Sequence, residues 1–239
     1  MIDLSRSEAL LGAEAMARLA SARVLVVGVG GVGSWCAEAL ARTGVGRIVL
    51  VDDDVVASSN VNRQCPATSR TLGRPKVEVM RERLLEIIPG GDFEAIAGRY
   101  PSATTGLRLT DFDVVVDAID SVDCKAELIL AATAAGVPVV SSMGAARRLD
   151  PTKVVVRRFD KVDGDGLARA LRQRFRRIGR WPSAPFECVC STEPPRPLPP
   201  AAPGEPAPKG SVMPVTCAFG MALASRAAAA VLRAAPAAS

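Results

Sequence analysis

The 239-residue sequence predicts a doubly wound α/β fold, with a mostly parallel sheet and an antiparallel carboxyl-terminal extension. Three observations predict it. The apolar run Val24-Leu25-Val26-Val27 leads directly into Gly28-Val29-Gly30-Gly31-Val32-Gly33 and then into helical spacing through Thr43. That is the strand, glycine turn and helix start that a G-x-G-x-x-G signal requires before it carries meaning. Strand-like and helix-like stretches then alternate up to Asp150, the rhythm of parallel strands joined by crossover helices. Beyond Asp150 the rhythm stops, and the remaining strand-like stretches suit antiparallel pairing at the end of the sheet.

Residues 7–20 place Leu10, Leu11, Ala13, Met16, Ala17 and Leu19 at helical spacing with Ser7 as a candidate cap, which predicts an amino-terminal helix and leaves Arg6 in an arm before it. The second strand is residues 47–52, reached through the helix stop Gly44-Val45-Gly46. A polar link at 53–74 is too long for a plain strand-to-helix loop, so a functional role is expected. Residues 74–88 form a helix with Pro75 at its start and Val77, Met80, Leu84, Ile87 and Ile88 on one face, stopped by Pro89-Gly90-Gly91.

Short strands follow at 94–97, 113–118 and 138–141, with a helix at 121–135. Residues 153–159 and 186–191 read as strands, and 165–178 as a helix with Leu167, Leu171, Phe175 and Ile178 inward. Its other face carries Arg169, Arg172, Arg174, Arg176 and Arg177. Residues 193–208 hold eight prolines in sixteen positions, which excludes a helix or central strand. A small-residue helix at 216–233 closes the chain. The expected organisation is one domain over 1–239, comprising an arm and helix (1–22), a nucleotide core (23–150) and a substrate-side extension (151–239).

Composition removes several chemistries. There is no histidine, so mechanisms built on a histidine base or ligand are excluded. The six cysteines form no C-x-x-C pair, which argues against structural zinc and for reduced thiols. The amino terminus begins no apolar signal segment, and the apolar stretch 215–232 is interrupted by Arg226, so a buried helix is expected rather than a bilayer span. These readings predict a cytoplasmic protein without membrane insertion. The net charge of +5 suits a polyanionic partner and is equally compatible with ordinary solubility.

The glycine turn alone means a nucleotide or dinucleotide. Asp52 stands where an acidic residue holds ribose hydroxyls, which both a nicotinamide cofactor and ATP possess. Asn60-Val61-Asn62-Arg63-Gln64 and Arg74-Pro75-Lys76 then place polar and cationic groups at the phosphate end. Cations spread along a triphosphate suit attack at the α-phosphate, whereas a nicotinamide site needs a flat apolar slot. Asp117 and Asp120 follow a buried strand at the end where open sheets bind ligands. One of them, or Ser121, can cap the next helix, and Asp120 is the candidate Mg²⁺ ligand.

The segments GVGGVGS, VDDD, SSNVNRQ, GRPKVE and DAIDS, in this order and at these spacings, resemble the ThiF-type adenylating enzymes, relatives of the ubiquitin-activating enzymes, over residues 5–144. Within that superfamily the chain is similar to the tRNA threonylcarbamoyladenosine dehydratase (cyclic threonylcarbamoyladenosine synthase) branch. Arg42-Thr43-Gly44-Val45-Gly46, Leu149-Asp150-Pro151-Thr152, Cys188-Val189-Cys190-Ser191-Thr192-Glu193 and Gly210-Ser211-Val212-Met213-Pro214-Val215-Thr216 carry that similarity.

The resemblance implies a Rossmann-like fold in which Gly28, Gly30, Gly31 and Gly33 line ATP and Asp52 bonds the ribose. It further implies that Asn60, Arg63 and Lys76 hold the phosphates, that Asp120 binds Mg²⁺, and that Arg6 reaches the other subunit's ATP in a homodimer. The implied activity is ATP-dependent dehydration of threonylcarbamoyladenosine in tRNA through an acyl adenylate. The alternatives are adenylation of a ubiquitin-like sulfur carrier, with a sulfur-transfer protein as partner, a non-catalytic nucleotide-sensing module and, more remotely, a nicotinamide oxidoreductase. The missing C-x-x-C pairs count against the carrier-activating branches. Cys188 and Cys190 are open to a sulfur-transfer role or to plain burial in a strand. The remaining four cysteines are expected to be structural.

Overall fold

β1 (Arg23–Val27) runs through the middle of the sheet because its valines and leucine are buried on both faces, as parallel central strands require. The computed structural model describes residues 3–101, 106–197 and 210–233. After β1 come α3 (Gly33–Thr43), β2 (Arg47–Asp52), α4 (Lys76–Ile87), β3 (Asp92–Ala97), β4 (Val114–Asp117), α5 (Val122–Ala134) and β5 (Val139–Ser142). β6 (Val154–Arg158), α6 (Gly166–Ile178), β7 (Glu187–Ser191) and α7 (Met213–Arg233) complete the order. The sheet has seven strands in the order β3-β2-β1-β4-β5-β7-β6, with the direction of winding reversing between β1 and β4.

Alternate residues of the strands face two separate cores. Val24, Val26, Ile48, Leu50, Val114 and Val116 pack with α3, α4 and α7 through Leu40, Met80, Leu84, Phe219 and Leu223. Leu25, Val27, Val49, Val51 and Val115 pack with α5 and α6 through Leu128, Ile129, Leu171 and Phe175. α7 is apolar enough in length and hydropathy to cross a membrane, but half of that window is buried inside the protein. The expectation of a core helix holds at that position.

Three expectations are corrected. The amino-terminal helix is two helices, α1 (Ser5–Leu11) and α2 (Ala13–Ser21), because Gly12 adopts φ 85° between them. Ser7 therefore lies inside α1 and caps nothing, Asp3 instead accepting from the Ser5 amide. α1 buries no residue, and Leu10 and Leu11 are exposed rather than inward.

The antiparallel extension is a single pair. β7 joins β5 in parallel and only β6 is antiparallel, at the edge. Burial explains the order: β7 (ECVCS) is covered on both faces, whereas β6 (VVVRR) ends in exposed arginines that an edge tolerates. Eleven of the sixteen positions of the proline-rich stretch, 198–208, lie outside the described residues.

Candidate active site

A pocket of ≈ 580 Å³ opens at the carboxyl ends of β1 and β4, where the strand order reverses. Its wall includes Gly28, Gly30, Gly31, Asp52, Asn60, Arg63, Gln64, Lys76 and Asp120. Each element delivers its residues by local chemistry. Gly28 has φ 92° and lies so close to the next wall that an added Cβ would stand 2.7 Å from the Ala118 carbonyl. No side chain caps the start of α3, which leaves first-turn amides for an anion.

Gly33 departs from the expected role. It does not line the pocket, and an added Cβ would stand 1.8 Å from the Gly28 carbonyl. It is needed for packing the helix on the turn, while Gly30 and Gly31 face the ligand space.

The long link after β2 is pinned to the glycine turn. Ser34 Oγ donates to the Gly30 carbonyl at 2.6 Å and accepts from the Cys65 amide at 3.1 Å. Trp35 Nε1 donates to the Arg63 carbonyl at 2.9 Å. Asn60 is buried at the end of a short 3-10 turn, its Oδ1 accepting from the Ala57 amide at 3.0 Å. The Arg63 guanidinium is braced by the Ser59 carbonyl (2.7 Å) and Asn62 Oδ1 (2.9 Å).

Gln64, which motif reading passed over as one more polar residue, lines the pocket while nine-tenths buried. Its Oε1 accepts no hydrogen bond among the described residues. A buried amide oxygen of this kind is satisfied only by an incoming donor.

Asp52 accepts from the Val29 amide at 2.6 Å and the Asp54 amide at 2.9 Å. Burial raises its pKa above the usual carboxylate value, and the amide bonds work against that rise. Lys76 opens α4 directly after Pro75 and reaches Asp54.

Asp117 and Asp120 separate cleanly. Asp117 is fully buried, 2.6 Å from Lys125 Nζ, and accepts from the Ile119 amide at 3.1 Å. Asp120 is exposed on the pocket wall and accepts no hydrogen bond among the described residues. Neither caps α5: Ser121 occupies the cap position without a side-chain bond.

Arg6 is exposed in the first turn of α1 and lies outside this chain's own pocket. Cys124, expected to be structural, lines the pocket and accepts from Arg99 Nε at 3.2 Å. Cys188 and Cys190 are buried on β7, and burial pushes both thiols up, away from the nucleophilic thiolate. All six cysteines are free.

The wall formed by residues 144–146 is held by two residues outside any motif, Arg148 and Asp165, and by Glu193. Buried Arg148 bonds the carbonyls of Gly144, Ala146 and Glu193 and pairs with Asp165 at 3.1 Å. Asp165 also takes the Gly144 and Ala168 amides, which both caps α6 and fixes the pocket loop. Glu193 accepts from the Leu149 and Asp150 amides at 3.0 and 2.9 Å. The expected arginine-rich face of α6 is only partly free. Arg172 donates to the carbonyls of Phe159 and Val162 and lies over the Phe159 ring, and Arg174 pairs with Asp123.

A glycine turn at a helix start, the Asp52 carboxylate and the cations Arg63 and Lys76 around one pocket at the sheet's reversal point define a nucleotide-binding α/β protein. The model of the ThiF family matches residues 4–238, and the chain belongs to that family.

The tRNA threonylcarbamoyladenosine dehydratase of Bacillus subtilis (strain 168) is 41% identical over 179 residues, covering 74% of this chain and 70% of that one. Two crystal structures of the E. coli tRNA N6-threonylcarbamoyladenosine dehydratase, in complex with AMP and with ATP, match with TM-scores of 0.85 and 0.82. Each is 35% identical and covers 95% of this chain and 93% of that one.

Proposed function

We propose that residues 1–239 act as one ThiF-type adenylating domain that dehydrates threonylcarbamoyladenosine in tRNA to its cyclic form at the expense of ATP. The observation that carries this reading is one pocket lined by the glycine turn together with Arg63, Gln64 and Lys76. The chain-wide similarity to dehydratases solved with AMP and ATP supports it.

In this reading Gly28, Gly30 and Gly31 let the chain approach the phosphates, Asp52 bonds the ribose, and Asn60, Arg63 and Lys76 hold the triphosphate. The threonyl carboxylate of the modified adenosine attacks the α-phosphorus, and the bond to pyrophosphate breaks. The cations stabilise charge gathering on the phosphates in that step. A nitrogen of the same substituent then closes on the activated carbonyl, the carbon–oxygen bond to AMP breaks, and the net change is loss of water. No thiol is needed, in keeping with the buried state of Cys188 and Cys190.

Mg²⁺ fits Asp120, a hard oxygen donor on the wall with no hydrogen bond to spend, whereas Asp117 is committed to Lys125. The ion would neutralise phosphate charge there. Arg6 is assigned to the ATP of a second subunit in a homodimer, and its exposure outside its own pocket accords with that role. Free cysteines and a half-buried α7 support a cytoplasmic protein that inserts in no membrane.

Pyrophosphate release separates the readings. The chain should release it with total tRNA from cells lacking this enzyme and not with a carrier protein ending in Gly-Gly. The reverse result assigns it to sulfur-carrier activation, and release with neither removes the catalytic reading.

A further inference from the structure

We propose that Lys125 is a positioning residue for this reaction, acting through a buried Lys125–Asp117–Ser141 network that fixes both Asp120 and the 142–146 loop at the nucleotide. The proposal rests on the adenylation reading above.

Lys125 Nζ stands 2.6 Å from Asp117 Oδ2 and 3.3 Å from Ser141 Oγ, and Ser141 Oγ itself donates to Asp117 Oδ2 at 2.6 Å. Lys125 and Asp117 have side chains 0% exposed. Such a pair is a poor device for stability, because apolar groups of similar volume in the same space are commonly as stable or more so. Its geometry supplies a different purpose.

The three residues come from α5 and from the carboxyl ends of β4 and β5, the strands whose following loops make the pocket's far wall. Asp117 Oδ1 accepts from the Ile119 amide, which sets the turn that presents Asp120. That same turn abuts the glycine turn, the Ala118 amide donating to the Val27 carbonyl at 2.8 Å. Ser141 leads directly into Ser142, Met143, Gly144, Ala145 and Ala146, all on the pocket wall. One ammonium thus sets the relative placement of two loops that share no direct motif. Apolar side chains would fill the space without directing either loop.

The test uses the full chain. Lys125→Met alone strands a buried carboxylate and lowers the unfolding temperature, so the deciding variant is Asp117→Leu/Lys125→Met, which removes both charges at similar volume. Unfolding temperature, AMP affinity, MgATP affinity, the Mg²⁺ concentration for half-maximal ATP binding, and pyrophosphate release are measured on it and on the wild type. The expected result is an unfolding temperature above that of Lys125→Met, though below wild type because the Ile119 amide and Ser141 hydroxyl lose Asp117, with AMP affinity within about twofold of wild type and MgATP affinity and turnover lowered about 10–100-fold, the usual cost of losing a supporting group behind a metal ligand.

MgATP affinity and turnover equal to wild type would overturn the proposal. AMP and MgATP affinities falling in step with the unfolding temperature would overturn it too, since that is what a purely structural pair does. A wild-type chain that binds neither nucleotide overturns the adenylation reading instead.

Discussion

Lys76 Nζ stands 2.6 Å from the Asp54 carboxylate, with the lysine side chain 5% exposed and the aspartate 66% exposed. The ammonium is therefore held at the pocket wall by an anion that looks into solvent. Two further donors remain for a ligand. Replacing Lys76 by alanine leaves Asp54 solvated, so folding should survive. Pyrophosphate release should fall about 10²–10³-fold, the cost of deleting one preorganised donor to developing charge. Circular dichroism checks the first half, and full activity in the variant would remove Lys76 from the phosphate site.

Gly33 and Gly30 should respond differently to the same methyl group. At Gly33 the added Cβ meets the Gly28 carbonyl at 1.8 Å, at Gly30 nothing closer than Gln64 Nε2 at 3.9 Å. Gly33→Ala should destabilise by at least about 3 kcal/mol, the upper range for forcing atoms into packed space. Gly30→Ala should keep its stability and lose ATP affinity. Urea unfolding and nucleotide titration on both variants decide the matter.

Acid should release one defined contribution. Burial opposes ionisation of Glu38, but hydrogen bonds from Arg83, Cys65 and Arg42 outweigh it and bring its pKa down to about 2 from an ordinary 4.5. A pKa lowered on folding contributes stability that is complete above pH 4.5 and is lost as pH falls toward about 2. Glu38→Gln should therefore be less stable than wild type by a constant margin at neutral pH. That margin should shrink between pH 4.5 and about 2; a margin independent of pH across this window would contradict the assignment.

The arginines of α6 divide into two groups. Arg172 bonds two backbone carbonyls at 2.8 and 2.6 Å, so Arg172→Ala should cost about 1–3 kcal/mol through the loss of two hydrogen bonds from a charged donor. Arg176 and Arg180 are exposed, and replacing both should leave stability within about 0.5 kcal/mol. If they track tRNA phosphates, the salt slope of tRNA affinity should drop by about 1–2 in that double variant. An unchanged slope would leave them as a solvated face.

Much of the site was legible because its residues sit in contiguous runs at strand ends. Gly28, Gly30, Gly31, Asp52, Asn60, Arg63, Lys76 and Asp120 all line one pocket apart from the packing role that fell to Gly33. Lys125, Arg148 and Asp165 were not legible, and Glu193 was legible only as part of a motif, without its partners. Their partners lie 8 to 45 positions away, and the strand order that joins them leaves no period in the sequence.

The same limit hid the place of β7. The run Cys188-Val189-Cys190 reports burial on both faces and says nothing about which strand it joins. Gly12 interrupts the first helix with a φ of 85°, and the spacing of Leu10 and Met16 is helical whether or not the chain breaks there.

Gly220 lies in α7 where an added Cβ would stand 2.6 Å from the Val32 carbonyl, and Thr216 of the same helix lines the pocket. The backbone of α7 thus backs the first turn of α3, beside the glycine turn that lines the pocket. A helix far along the chain forms the backing of a turn near its start, so whatever loosens α7 also loosens the rim of the pocket, and the shape of the glycine turn is a property of the folded domain rather than of its own local sequence.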